Sequence, residues 1–165
     1  MVRLSCNPDV LRRLALFSPL SDAQFGALLL QIERRSYAAT TRILHAGEGA
    51  DGLYVIVSGR AKLTFLDAEG RELVAASMGP NDFFGEAGVI DGNPRAANVD
   101  AQDACEILFV PRGVLLECVE HNAAAAMAML RTVVGRLDDA YRAMAVLAQQ
   151  AGEQTLSAPP LAERH

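Results

Sequence analysis

Two charged side chains stand among glycines, alanines and aliphatic residues in the stretch FGEAGVIDGNPRAANVDA, which runs from Phe84 to Ala101. Glu86 offers a carboxylate and Arg95 a guanidinium. An ordinary exposed loop would carry more Ser, Lys and Asp, and a plain core strand would carry neither of these charges. The pattern therefore indicates a small polar pocket in an apolar wall.

The chemistry that suits this pair is the binding of a phosphorylated ligand. Gly85 allows a sharp turn, and residues 86–90 can form one helical turn whose unpaired N–H groups point toward an anion. Arg95 follows a proline and precedes two alanines, so its planar fork can reach a phosphate with two hydrogen bonds. Glu86 can accept a hydrogen bond from a hydroxyl group of the same ligand, such as a ribose, and a sugar plus a phosphate indicates a nucleotide. The alternative is a salt bridge between Glu86 and Arg95 that only joins the turn to the sheet.

Composition limits the class of protein. The chain has 165 residues, of which 51% are hydrophobic and 21% charged, which is typical of one globular domain. Its net charge of −5 disfavours direct DNA binding, because the overall field repels phosphate backbones. The N-terminal stretch lacks the apolar core of a signal peptide, and no run approaches the ~20 apolar residues of a membrane span. We therefore expect a cytoplasmic protein with no membrane contact.

Catalysis and metal binding are not expected. Cys6, Cys105 and Cys118 show no CxxC or CxxH spacing, which argues against a disulfide framework, a zinc site or an iron–sulfur cluster. We expect them to be buried as small hydrophobic residues. No nucleophile–base pair lies near the predicted pocket, and His45 and His121 are expected at the surface.

The first two thirds of the chain predict two short helices followed by strands. Asn7-Pro8 starts one helix, with LRRLALF as its apolar face, and Ser21 to Gln24 forms a capping box at the start of FGALLLQI. The run GLYVIV then meets AKLTFL across Ser58-Gly59-Arg60, which predicts a hairpin, and a second turn leads to ELVAAS. CEILFV is the last strand, before a helix that starts after Pro111. Short strands at this regular spacing predict an antiparallel barrel or jelly roll.

The last third predicts one long helix. Apolar residues recur at alternating intervals of three and four, at Met127, Leu130, Val134, Leu137, Tyr141, Met144 and Ala148. This seam fits a core helix lying on the barrel or a coiled coil with a second copy. We favour a homodimer, because a second apolar stripe at Ala126, Val133, Ala140 and Leu147 could serve the barrel. Periodicity stops after Gln150, so we expect a domain over residues 1–150 and a flexible tail over residues 151–165.

The opening stretch closely resembles the phosphate-binding cassette of cyclic nucleotide-binding domains, with its FGE-x-[AG]-x-[LI] and PRAA-x-V-x-A motifs. That cassette is shared by bacterial catabolite-activator/FNR proteins, cAMP-dependent kinase regulatory subunits and cyclic-nucleotide-gated channels. Further blocks in the same order are similar to the family: LFSPLSDAQFGALL, ILHAGEGADGLYVIVSGRAKL and GRLDDAYR. The resemblance implies a mainly β fold with flanking helices, a double-stranded β-helix or jelly-roll-like β-roll with N-terminal helices and a long C-terminal helix.

The resemblance also implies roles for single residues. Glu86 would accept from the ribose 2′-hydroxyl group and Arg95 would pair with the cyclic phosphate. The other residues implied in the site supply backbone amides or line the pocket: Gly85, Ala87, Gly88, Ala96, Ala97, Val99 and, from the long helix, Tyr141. Ala96 lacks the hydroxyl group that follows the arginine in many cGMP-selective members, so cAMP is favoured. An acceptor such as Asp138 or Asp139 beside Tyr141 keeps cGMP possible.

The chain departs from the family's transcription factors at its end, where no helix-turn-helix pattern fits. The N-terminal cysteine cluster of FNR-type oxygen sensors is missing too, and no pattern of haem ligands stands out. We therefore expect a free-standing cytoplasmic cyclic-nucleotide receptor that changes conformation and signals to an unknown effector protein. Two alternatives stay open: the sensor part of a catabolite-activator/FNR-type regulator, and a degenerate dimerisation domain that binds nothing.

Overall fold

The computed structural model describes residues 9–156, with side chains described as far as residue 149. The boundary between two compact units falls after Ala126. The first unit holds two four-stranded antiparallel sheets with short helices around them, and the second continues the long C-terminal helix. The predicted class, a mainly β roll with N-terminal helices and a long C-terminal helix, is confirmed.

Within residues 9–156, two helices precede the strands, one short helix interrupts them, and two helices follow them. The N-terminal part contains two helices and six strands, α1 (Asp9–Arg13), α2 (Asp22–Leu29), β1 (Glu33–Tyr37), β2 (Arg42–Leu44), β3 (Gly52–Ser58), β4 (Ala61–Leu66), β5 (Glu72–Met78) and β6 (Phe83–Phe84). The rest comprises α3 (Glu86–Asp91), β7 (Asn98–Ala101), β8 (Cys105–Pro111), α4 (Arg112–His121) and α5 (Ala123–Leu156).

The strands form two sheets, in the orders β1-β8-β3-β6 and β2-β7-β4-β5. β4 and β5 are paired as predicted. The predicted hairpin between β3 and β4 is wrong, because these strands lie in different sheets: β3 pairs with β6 and β8, and β4 pairs with β5 and β7. The turn between them therefore carries the chain from one sheet to the other.

Gly59 shows why this turn is not a hairpin. Its φ of +84° lies in the left-handed region, and a methyl group at its Cα would come within 2.3 Å of the Ala104 carbonyl oxygen. The next carbonyl, that of Arg60, accepts from the backbone N–H groups of Gln102 and Asp103. The turn is thus packed against the β7–β8 connection, and this contact directs β4 toward β7 rather than back along β3.

The core lies between the two sheets, because alternate residues of each strand face inward. Its members are mainly aliphatic and aromatic: Ile43, Leu44, Tyr54, Ile56, Ala61, Met78, Phe84, Val99, Ala101, Cys105, Ile107 and Phe109. β8 is an inner strand of its sheet and is mostly buried, which fits its sequence CEILFV, apolar except for Glu106. Cys105 is buried as predicted and Cys118 is half-buried, whereas Cys6 lies outside the described residues.

The helix starts follow the sequence more closely than the helix ends. The Ser21–Gln24 capping box is present in both directions, with Gln24 N donating to Ser21 Oγ at 3.2 Å and Ser21 N donating to Gln24 Oε1 at 3.0 Å. α1 ends at Arg13, so LALF forms turns instead of the predicted helix, and its predicted start at Asn7-Pro8 lies outside the described residues. α5 continues through residues 151–156, where the sequence placed the start of a tail.

Candidate functional site

The cassette turn is built on glycines that no other residue could replace without strain. Gly85 precedes α3 with φ +88°, and a methyl group there would lie 2.9 Å from the Gly52 carbonyl oxygen and 3.0 Å from Arg95 Nη1. Gly88 is buried inside α3, where a methyl group would lie 2.8 Å from Ala50 Cβ. The predicted helical turn is therefore present, and it lies close against the β2–β3 loop and Arg95.

The backbone around Arg95 is held by the same β2–β3 loop. Arg95 N donates to the Glu48 carbonyl oxygen at 2.9 Å, and Gly47 N donates to the Arg95 carbonyl oxygen at 2.8 Å. Beyond them, Ala46 N donates to Asn98 Oδ1 at 2.8 Å. The first two hydrogen bonds hold the Arg95 backbone against the β2–β3 loop, and the third holds the start of β7 against the same loop.

The Arg95 side chain is only 5% exposed and makes an ion pair with Asp51, with Nη2 2.5 Å from Oδ1. Its Nη1 is 3.5 Å from the Gly85 carbonyl oxygen. Glu86 was the alternative salt-bridge partner predicted for Arg95, but in the structure the carboxylate paired with Arg95 is that of Asp51. Asp51 is 51% exposed, so one end of the ion pair is in water while the other is buried.

Tyr54 connects this ion pair to a second arginine. Its ring stacks on Phe84, with centroids 5.3 Å apart, and its hydroxyl group donates to Asp51 at 3.0–3.1 Å. Arg35 Nη1 donates to the same hydroxyl group at 3.3 Å. Burial, and then the Asp51 carboxylate, raise the pKa of Tyr54 well above its usual value, so this hydroxyl group stays protonated.

Arg112, the first residue of α4, joins the cassette helix to the next helix. Its Nη1 donates to the Gly88 carbonyl oxygen at 3.1 Å, and its backbone N donates to the Asp51 carbonyl oxygen at 2.8 Å. Asp51 therefore contacts Arg95 through its side chain and α4 through its backbone.

The structure places the nine predicted site residues in two clusters and at two separate positions. Gly85, Glu86 and Arg95 line one corner beside the β2–β3 loop, and Glu86 is half-buried there. Four more flank this corner along α3 and β7: Ala87 and Ala96 are exposed, Ala97 is half-buried and Val99 belongs to the core. Gly88 is packed rather than open. Tyr141 lies on α5 in the second unit with an exposed side chain.

Four residues of this corner are absent from the predicted set: Arg35, Asp51, Tyr54 and Arg112. They lie on β1, the β2–β3 loop, β3 and α4, between 17 and 60 positions from Arg95 in the sequence. Asp51 and Tyr54 lie in the ADGLY segment, which does belong to one of the family-like blocks. That block could have pointed to Asp51 and Tyr54, although nothing in it shows that the Asp51 carboxylate faces Arg95.

Two surface depressions lie elsewhere on the first unit. One, of about 150 Å³, is lined by α2 and α4 and includes Cys118 and His121. The other, of about 450 Å³, is polar and is lined by Arg42, Lys62, Glu72 and Asp100 among others. Neither is lined by any of the nine predicted residues.

The part of the chain that the structure describes contains no group of three or more His, Cys, Asp or Glu side chains placed to hold a metal ion. None of its helices is long and apolar enough to cross a membrane.

A sequence profile of the cyclic nucleotide-binding domain matches residues 34–122, which include both sheets, the cassette and α4 almost completely. This stretch is more than half of the chain. The chain therefore belongs to the cyclic nucleotide-binding domain family.

The relatives are regulatory proteins. The chain is 32% identical, over 113 residues, to the cAMP-activated global transcriptional regulator CRP of Haemophilus influenzae, covering 68% of this chain and 50% of that protein. The N-terminal domain of a transcriptional regulator from Streptomyces coelicolor A3(2) is 34% identical, with a TM-score of 0.63, over 82% of this chain and 95% of that one. The regulatory domain of Toxoplasma gondii PKA, solved with cAMP, is 28% identical with a TM-score of 0.63, over 67% and 42%. The chain thus spans about half the length of the curated relatives it matches.

Proposed function

We propose that this chain is a cyclic-nucleotide receptor, with cAMP as the favoured ligand, that changes conformation on binding and signals to a partner protein. The observation that carries the proposal is the buried Arg95 guanidinium beside the turn at Gly85. The family match and the names of the relatives, which include cAMP-activated regulators and a PKA regulatory domain with cAMP, support this ligand class. In this proposal Arg95 binds the cyclic phosphate and Glu86 accepts from the ribose 2′-hydroxyl group.

The remaining predicted residues complete the proposed pocket. The backbone N–H groups of Gly85, Ala87 and Ala96 would donate to phosphate oxygens, while Ala97 and Val99 would line the apolar side. Gly88 acts through packing, because its Cα lies against Ala50 and its carbonyl oxygen accepts from Arg112. Tyr141 is proposed to contact the base, and cGMP remains the alternative ligand.

A receptor signals only if the ligand binds one conformation better than another. Here the ligand's phosphate has to compete with Asp51 for Arg95. Because Asp51 also accepts from the backbone N–H of Arg112, a new position of Asp51 would change the start of α4. This connection supports a route from the phosphate position to α4.

We also propose that α5 forms a homodimer. Its seam residues are between 46% and 62% exposed at Met127, Leu130, Val134, Leu137, Tyr141 and Met144. Large apolar side chains exposed at heptad spacing over several turns are typical of a coiled-coil seam. A second copy of the same helix satisfies this spacing.

The experiment that tests the receptor proposal is isothermal titration of the protein with cAMP, cGMP and cyclic di-GMP. We expect saturable binding of cAMP, one per chain, and loss of that binding in Arg95→Met, which keeps the length and apolar stem of the side chain. Arg71→Met is the matched control, because Arg71 lies on the β4–β5 turn and is exposed. Wild-type protein that binds none of the three nucleotides would refute the proposal.

A second candidate is the sensor part of a transcriptional regulator. Two findings favour it. The curated relative from Haemophilus influenzae is about twice as long as the stretch that it shares with this chain, and one similar structure is the N-terminal domain of a transcriptional regulator from Streptomyces coelicolor A3(2). Salt-sensitive binding to duplex DNA that strengthens with cAMP would support this candidate. We expect little DNA binding at ~0.15 M salt, because the net charge is −5.

The third alternative is a dimerisation domain that binds nothing, and the Asp51–Arg95 ion pair is compatible with it. A buried arginine without a partner would argue for a missing ligand, but Arg95 already has a carboxylate partner within the chain. Retention of Arg95 therefore does not separate a receptor from a scaffold. Only the titration does.

A further inference from the structure

Two guanidinium groups, those of Arg95 and Arg35, lie close to one carboxylate, that of Asp51. Arg95 Nη2 is 2.5 Å from Asp51 Oδ1, and Arg35 Nη1 is 3.8 Å from Asp51 Oδ2. The Tyr54 hydroxyl group lies between them, since it donates to Asp51 and accepts from Arg35 at 3.3 Å. Asp51 is therefore within reach of a second cation without a change of its loop.

Arg35 is held in this position by β1 and by aromatic rings. Its guanidinium carbon lies 3.4 Å from the Phe109 ring centroid and 5.7 Å from that of Tyr54. Its Nε and Nη2 donate to Glu33 Oε2 at 3.1 and 2.8 Å, so Nη1 is the nitrogen directed at Tyr54 and Asp51. β1 pairs with β8 at this point, with Arg35 opposite Ile107, which holds the backbone.

A bound phosphate changes the balance of charge at Asp51. In the present structure Asp51 is the acidic partner of Arg95, but a phosphate on Arg95 would place two anions on one buried cation, and like charges at such distances repel. The carboxylate then needs another cation. Arg35 is the nearby one, it is partly exposed, and the protonated Tyr54 hydroxyl group can move with the carboxylate.

We propose that Arg35 is a positioning residue for the nucleotide site: through Tyr54 it draws the Asp51 carboxylate away from Arg95 and so frees Arg95 for the phosphate. This inference rests on the proposed function. Arg35 does not contact the ligand and acts only by changing the partner of Asp51. The simpler alternative is that Arg35 makes an ordinary surface ion pair with Glu33, which would leave nucleotide affinity unchanged.

The test is titration with cAMP of the full chain and of a set of variants. Arg35→Gln should weaken binding about fivefold or more, because Asp51 then stays on Arg95. Arg35→Lys keeps the charge and should recover most of that loss. Tyr54→Phe removes only the bridging hydroxyl group and should weaken binding by a smaller factor. Arg34→Gln, one residue away and paired with Glu106 on the other face of β1, is the control for the loss of one positive charge and should bind as the wild type does.

The double variant Asp51→Asn with Arg35→Gln decides the mechanism. Without the carboxylate there is nothing for Arg35 to draw away, so Arg35→Gln should change affinity less than about twofold in the Asp51→Asn background. A loss that persists in that background would overturn the inference, as would an unchanged affinity in Arg35→Gln alone or a failure of Arg35→Lys to recover binding. In all these cases the wild type binds cAMP and the receptor proposal stands. A wild type that binds no nucleotide refutes both proposals.

Discussion

Gly85 and Arg95 are in contact: Arg95 Nη1 lies 3.5 Å from the Gly85 carbonyl oxygen, and a methyl group on Gly85 would come within 3.0 Å of the same nitrogen. The turn that begins α3 and the arginine that follows it are thus packed as one unit. The conformation of Gly85 therefore sets the position of the guanidinium.

Gly85→Ala should destabilise the chain more than Gly92→Ala. Both glycines have positive φ, +88° and +75°, but a methyl group at Gly92 meets nothing within 4 Å. Gly92→Ala therefore measures the backbone strain alone, about 1–2 kcal/mol. Gly85→Ala adds the contacts with Gly52 and Arg95 and should cost about 1 kcal/mol more by urea denaturation. Equal losses would show that the close contacts at Gly85 relax freely.

Replacing Asp51 and replacing Arg95, each in a separate variant, should have unequal effects on the free energy of unfolding. Asp51→Ala leaves a guanidinium that is 5% exposed without its carboxylate, which we expect to cost about 1–3 kcal/mol. Arg95→Met leaves a carboxylate that is half in water and still accepts from Tyr54, so the cost should stay below about 1 kcal/mol. Denaturation of the ligand-free variants measures both. The opposite order would show that the pair is more exposed in solution than in the structure.

Thr64→Val should stabilise the protein. Thr64 Oγ1 on β4 is buried and, among the described side chains, is the buried polar atom without a hydrogen-bond partner. Valine has nearly the same shape and needs no partner, so the gain should be about 1 kcal/mol. Thr132→Val is the control, because Thr132 Oγ1 donates to the Ala128 carbonyl oxygen at 3.2 Å. A loss of stability in Thr64→Val would indicate that a water molecule bonds this hydroxyl group.

Glu106 should contribute to the loss of stability in acid. The hydrogen bond from Ser36, and then Arg34, hold the pKa of this carboxyl group below its usual 4.5. A lowered folded-state pKa stabilises the protein above the usual value, and this contribution is lost as the pH falls through the folded-state pKa. Glu106→Gln should therefore show a smaller drop in unfolding free energy between about pH 5 and pH 3 than the wild type does. Ser36→Ala should reproduce part of this change, and an unchanged pH dependence in both variants would contradict the assignment.

A charge in the α5 seam should dissociate the proposed dimer. Val134→Glu with Leu137→Glu places carboxylates at adjacent seam positions, where like charges from two copies would face each other. Asp139→Ala is the control, because Asp139 is off the seam and pairs with the exposed Arg142. Sedimentation equilibrium should show a dimer for wild type and control and a monomer for the double variant. A monomeric wild type would refute the dimer proposal.

The cassette was predictable because its residues are neighbours in the chain. Gly85, Glu86 and Arg95 lie within one short stretch, and the turn and the helix can be predicted from it directly. The capping box at Ser21 is local in the same way, and so is the β4–β5 hairpin. Each depends on backbone geometry over a few residues, and each is present in the structure.

Two predictions were wrong, the β3–β4 hairpin and the C-terminal end of α1, because each depends on what the end of a strand or helix packs against. SGR between two apolar runs has the form of a hairpin turn, but Gly59 packs against the β7–β8 connection, so β3 and β4 enter different sheets. α1 stops at Arg13 although the apolar pattern continues, because Leu14, Leu16 and Phe17 are buried from turns instead. Such contacts involve residues that are distant in the sequence.

The sequence by itself determined the family, the β-roll with its flanking helices, and the presence of Glu86 and Arg95 in one cassette, because these follow from local spacing and from motif order. Only the tertiary structure decided that Asp51 is the partner of Arg95 and that Tyr54 joins this pair to Arg35. The physical reason is that an ion pair depends on distance in space. The fold brings β1, the β2–β3 loop, β3 and the cassette close together, and the spacing of their residues along the chain does not show that they are neighbours in space.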